Sequence, residues 1–238
     1  CYRFIRHKIA PMSASSSASN PQYQWYLTGT GAWFFAIGVQ MVMFTYLVTT
    51  VLHAPANQIG LAQTSLTILS AAFMLIGGAV ADKVDTRRLI IVCHAAAMVP
   101  ALVLATVVWL GALRYEWLIG YGLMMGLITA FILPAREATL GDVLGPDGMK
   151  FVQRAVTTMV GLQFLAQIAG MISARFADHI GAEIIILSQL AAQALGVYAA
   201  IKLIPSGRHH LHAEDNTGSQ WQRIRAGLAE VWRSHALF

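Results

Sequence analysis

The chain has 238 residues, of which 57% are hydrophobic and 11% charged, with mean hydropathy +0.59 and a net charge of +5. That balance leaves too little polar surface to cover a soluble globule of this size. The basic excess does not point to nucleic acid, because nearly all of it falls in short segments between apolar runs.

Six such runs, at about 25–52, 59–81, 89–113, 117–134, 155–174 and 184–201, contain no Asp, Glu, Lys or Arg. A bilayer core is ~30 Å thick and a helix rises ~1.5 Å per residue, so ~20 apolar residues span it. Barrel strands would read as short alternating segments. The expected fold is therefore all-α: a polytopic membrane protein with a six-transmembrane-helix bundle at 25–204, surrounded by membrane lipids. In chain order, residues 1–24 read as an N-terminal tail. Cys1 stands at its start and Met12 precedes a Ser-rich tract, so residues 1–11 are expected to be non-native or the chain a fragment. His53–Asn57 carries turn residues between spans 1 and 2, Asp82–Arg88 joins spans 2 and 3, and Arg114–Glu116 joins 3 and 4. A longer stretch, Arg136–Arg154, is expected to join spans 4 and 5, and Asp178–Gly181 joins 5 and 6. Residues 205–238 read as a linker whose segment Ser219–Trp232 puts Trp221, Ile224, Leu228 and Val231 on one face. An amphipathic helix of that kind suits a membrane surface or a link to a following domain.

The charges are distributed by side. Of the 16 Lys and Arg, only Arg114 and Arg175 fall in the loops on one side, and the other 14 fall on the side of the two ends. Cytoplasmic loops retain basic residues, so both ends are expected in the cytoplasm and the protein in the plasma (inner) membrane.

The loop after span 2 carries the most specific pattern: Gly77-Gly78-Ala79-Val80-Ala81-Asp82-Lys83-Val84-Asp85-Thr86-Arg87-Arg88. Two glycines allow a close helix approach. A carboxylate at the membrane edge can pair with an arginine or accept from a helix N-terminus. The plainer reading is that Lys83, Arg87 and Arg88 only set topology. The Gly–Asp–Lys–Arg spacing resembles motif A of the major facilitator superfamily, in the same place between spans 2 and 3. Phe131-Ile132-Leu133-Pro134-Ala135-Arg136, running on to Asp142, is similar to the span-4 exit in the branch typified by the enterobactin exporter. Span 5, with Gly161 to Gly170, only weakly resembles the antiporter motif, because it lacks that motif's proline.

The resemblance implies the N-terminal half of a twelve-helix transporter, with a second six-helix half to follow and a small-molecule substrate moved by alternating access, with protons as the expected coupling ion. It further implies a conformational gate at Gly78, Asp82, Lys83, Arg87 and Arg88. Partners for that gate are expected at Arg136, Glu137 and Asp142, with Asp82 pairing to Arg136. Gly77, Gly161 and Gly170 are expected to serve helix packing. Gln40, Gln163 and Gln167 are the candidate cavity wall, against the alternative of hydrogen bonds between helices. Gln189 and Gln193 share the four-residue spacing in a span expected at the periphery. His94 is expected to pack or to bond a neighbouring helix. No acid lies mid-span, no phosphate-binding loop is present, and His209, His210 and His212 stand alone in the linker, so neither a cofactor, a metal nor an enzymatic role is expected. The functional expectation is a secondary exporter of a small amphipathic or siderophore-like molecule. The alternative is a non-transporting six-helix scaffold or a membrane-embedded lipid-handling protein.

Overall fold

In lipid no water is available to the backbone, so each apolar run must close its own hydrogen bonds, and only a helix does that within one segment. The computed structural model describes residues 21–144 and 152–205. The Ser-rich tail, the amphipathic segment and the linker histidines lie outside the described residues. The order is α1 (Pro21–Tyr46), extended by a π-helical turn (Leu47–Val51), α2 (Ala56–Ala81), α3 (Thr86–Trp109), α4 (Tyr115–Leu144), α5 (Val152–Ala174), a four-residue α6 (Ala177–Ile180) and α7 (Ala182–Lys202). All but α6 are long and apolar enough to cross a membrane, giving the six expected spans.

Local chemistry sets the ends. At the start of α3 the Asp85 side chain accepts from the Arg87 backbone N–H at 3.1 Å, a helix cap that satisfies one of the free donors of the first turn. At its other end Gly111 takes φ +64°, and the N–H groups of Gly111 and Ala112 close on the carbonyls of Val108 and Val107. That pairing needs a left-handed residue, which glycine adopts without a Cβ penalty.

One boundary differs from expectation. Span 4 does not stop at Pro134 but continues as helix to Leu144, so Arg136 and Glu137 sit inside a helix and not in a loop. Proline removes one helical donor, and the carbonyl left without it is that of Ala130, four residues back. Gly77 of α2 lies directly against the Ala130 oxygen, so a neighbouring backbone fills the place next to the interruption.

Packing runs in the order α2, α4, α3, α7, α1, α5, with α1 and α4 also meeting in the middle. Exchanging the first three spans with the last three leaves this set of neighbours unchanged: α2 on α4 becomes α5 on α1, and α4 on α3 becomes α1 on α7. In its helix neighbours the bundle thus repeats a three-helix unit, spans 1–3 and spans 4–6. The peripheral seams are made by glycine. Gly38 of α1 sits against the backbone of Gln167 and Met171, and Gly170 of α5 against Phe35 and Val39. On the opposite side Gly122 and Gly126, four apart on α4, sit against Ser65 and Leu66 of α2. Between lipid-embedded helices association rests on close van der Waals contact, which small residues permit. The apolar core, with Trp33, Phe44, Leu118, Met125, Ile132 and Ile186, lies among α1, α3, α4 and α7.

Burial is uneven in a way that positions the site. Only 17% of the central residues of α2 and 11% of those of α5 are buried, against 39–50% in the other four spans. Each of these two helices is docked along one edge on a central helix and otherwise left open.

Candidate functional site

Apolar side chains alone would be expected on open membrane-facing surface. The open side of α2, α1 and α5 instead carries a polar seam. Gln63 Nε2 of α2 donates to Thr45 Oγ1 of α1 at 3.0 Å, and the Thr45 hydroxyl donates to the Met41 carbonyl at 3.0 Å. From the other flank Gln167 Nε2 of α5 donates to Met41 Sδ at 3.1 Å. The seam ends beside the π-helical turn, where Thr49 donates to the Thr45 carbonyl at 2.8 Å. Polar groups from three helices are therefore joined across one face, in the half of the bundle away from the basic loops. Gln163 lies one turn from Gln167 and is half-buried, on the same side of α5.

Gln40 belongs to a second arrangement, which runs inward. Gln189 Nε2 of α7 donates to the Tyr121 hydroxyl of α4 at 2.7 Å, and Tyr121 donates to Gln40 Oε1 at 3.1 Å. This chain links α7, α4 and α1 through the core and ends at the half-buried Gln40. It corrects the expectation for span 6: Gln189 and Gln193 are buried to 1% and 0% exposure, not peripheral. The physical reason is that α7 packs on both α1 and α3, so its amides face two helices. Their four-residue spacing was the signal that could have found them. Gln193 Oε1 lies 2.7 Å from His94 Nδ1, which ties α7 to α3.

At the basic end the structure separates residues that the sequence pattern groups. Asp82 and Lys83 are exposed, and among the described residues Asp82 meets no basic side chain. The expected Asp82–Arg136 pair is not formed. Arg136, only 6% exposed, is turned inward with its guanidinium 4.7 Å from the centre of the Phe34 ring. Because α4 stays helical through Pro134, Arg136 is carried on the face that meets α1. Glu137, next along the helix, is exposed, and Asp142 is half-buried about a turn and a half further on. Arg87 reaches across to α7: its Nη2 donates to the Ile201 carbonyl at 2.7 Å and its Nε to the Ala200 carbonyl at 3.3 Å. It thereby caps the end of α7, where a cation opposes the negative pole of the helix. Gln22 holds the same end from α1, accepting from the Ile204 N–H at 2.8 Å. Arg88 lies 3.8 Å from Asp85 and is largely exposed, an ion pair of small energetic weight. Of the glycines, Gly77 and Gly170 make close approaches, whereas Gly78 and Gly161 meet nothing among the described residues.

The arrangement holds no group of three or more His, Cys, Asp or Glu side chains suited to a metal among the described residues. What it offers is a neutral hydrogen-bonding surface inside the membrane, carried on two thinly anchored helices. A family model described as transmembrane secretion effector, of the major-facilitator type, matches residues 23–215. No curated protein and no solved structure matches the chain.

Proposed function

Because the chain belongs to the transmembrane secretion effectors, a family of major-facilitator transporters, we propose that it works as one half of an alternating-access exporter. In this reading the seam of Thr45, Gln63 and Gln167 is the wall of the substrate cavity. The observation that carries it is the exposure of that seam within the membrane-spanning region. Amides and hydroxyls facing hydrocarbon are costly, by about 0.5–3 kcal/mol each even with partial compensation. A water-filled cavity between this bundle and a second six-helix bundle removes that cost. A purely structural bundle gains nothing from such a face.

The wall carries hydroxyls, amides and a thioether but no charge, which suits a small amphipathic molecule bound by hydrogen bonds and apolar contact. The charge of the basic end supports a cytoplasmic side for it, where the exposed Asp82 and Lys83 engage the second bundle as the gate closes. Export driven by a proton gradient across the plasma membrane completes the reading.

The test is flux. The protein, with any second bundle it has, is reconstituted in liposomes and offered a panel of fluorescent amphiphiles and a catecholate siderophore. At least one compound should move faster than in empty liposomes, and an imposed proton gradient should accelerate it severalfold. Movement equal to that of empty liposomes for the whole panel would count against the reading.

A further inference from the structure

At the basic end a small cavity lies among α1, α3, α4 and α7, lined among others by Thr30, His94 and Arg136. All three are buried, at 1%, 0% and 6% exposure. His94 Nε2 and Arg136 Nε each lack a hydrogen-bond partner, while Thr30 Oγ1 has the Tyr26 hydroxyl beside it. Two buried polar atoms left unpaired around one cavity are unusual, since buried polar groups find a protein or water partner in nearly every case. The space open to the centre of a water molecule is about 10 Å³, the lower limit for holding one water.

The chemistry of the wall selects the occupant. With Gln193 Oε1, an acceptor, turned to His94 Nδ1, the ring proton sits on Nδ1 and Nε2 presents a lone pair. Arg136 Nε presents only an N–H. Thr30 can give or take. One ligand must therefore accept from Arg136 and donate to His94. Water does both. A halide or other anion accepts only, and would leave the His94 lone pair unanswered.

We infer that the cavity among Thr30, His94 and Arg136 is a binding site for a single structural water, which accepts from Arg136 and donates to His94. It joins a helix from each three-helix repeat: α1 and α3 from the first, α4 from the second. Gln193 extends the link to α7. The site gives Arg136 a role in holding the bundle together at the basic end, separate from any pairing with Asp82.

The test uses a variant in which every histidine except His94 is replaced by glutamine, His53 and His179 being exposed. It is labelled with ¹⁵N-histidine and studied in lipid by solid-state NMR. The result expected is a neutral ring with Nδ1 protonated and Nε2 bare, with magnetisation transfer from a bound water that is lost in Thr30→Val or weakened severalfold. A protonated Nε2, or no transfer from water, would overturn the inference. A structure of the unaltered protein near 2 Å resolution, determined with bromide as the anion, provides a second reading. A peak within hydrogen-bond reach of His94 Nε2 and Arg136 Nε that lacks bromide anomalous signal supports the site. Bromide there, or an empty cavity, contradicts it.

Discussion

Gly170→Leu should unseat α5 from α1 and lower the thermal midpoint of the bundle in detergent by several degrees or more, whereas Gly161→Leu on the same helix should leave it nearly unchanged. A Cβ at Gly170 meets the Phe35 carbonyl oxygen and, at 2.9 Å, the Val39 nitrogen. Both are backbone atoms of α1, which cannot swing aside as a side chain would. Gly38 faces α5 in the same manner, so the seam has no slack on either side. Overpacking a tight contact costs about 1–3 kcal/mol, and at ~2–4 °C per kcal/mol for a chain of this size the loss is measurable. At Gly161 a Cβ meets nothing within 4 Å, and leucine is the better helix former by somewhat under about 1 kcal/mol. Thermal melts of the two variants of this chain, followed by circular dichroism, check the contrast. Equal losses would mean that α5 is held by something other than the glycine seam.

The double variant Gln63→Leu, Gln167→Leu should cut flux of the best-moved compound at least about tenfold while leaving the amount of protein in the membrane near normal. Each amide donates to a single α1 group, Thr45 Oγ1 or Met41 Sδ, and neither is in the apolar core. Bonds between membrane helices are worth ~0.6 kcal/mol on average, so losing two leaves the bundle folded. A substrate that binds the wall by two such groups loses about 1–3 kcal/mol, and 1.4 kcal/mol is already tenfold. Unchanged flux would move the binding surface elsewhere. A collapse in membrane content would make these residues structural.

The spans and their family were legible because lipid forces one solution on the backbone, and because the Gly–Asp–Lys–Arg loop has a fixed spacing. What the sequence concealed is which polar residues face each other. Gln189 and Gln193 read as peripheral because hydropathy says nothing of helix neighbours, and only the packing of α7 on α1 and α3 brings them to Tyr121 and His94. Arg136 reads as a loop residue because proline is taken to end a helix. In a membrane α2 can seat a glycine at the interruption, the helix continues, and the arginine is carried inward to Phe34. Arg87 reads as part of the same loop as Asp82, yet it lies in the first turn of α3 and its partners are carbonyls more than a hundred residues away at the end of α7. Pairings of that kind depend on the closed bundle and leave no mark in local spacing.

The central claim is that the open face of α1, α2 and α5 looks into water. Single cysteines at Thr45, Gln63 and Gln167, in a background with Cys1 and Cys93 replaced by serine, allow a direct measurement in the native membrane. Matching cysteines at Val92, Val99 and Leu102, which are 51–61% exposed on α3, serve as the lipid-facing reference. A charged, membrane-impermeant thiol reagent should label the first three positions and spare the second three. Protection of Gln63 and Gln167 to the level of the α3 positions would show that this face meets lipid or buried protein, and would contradict the cavity.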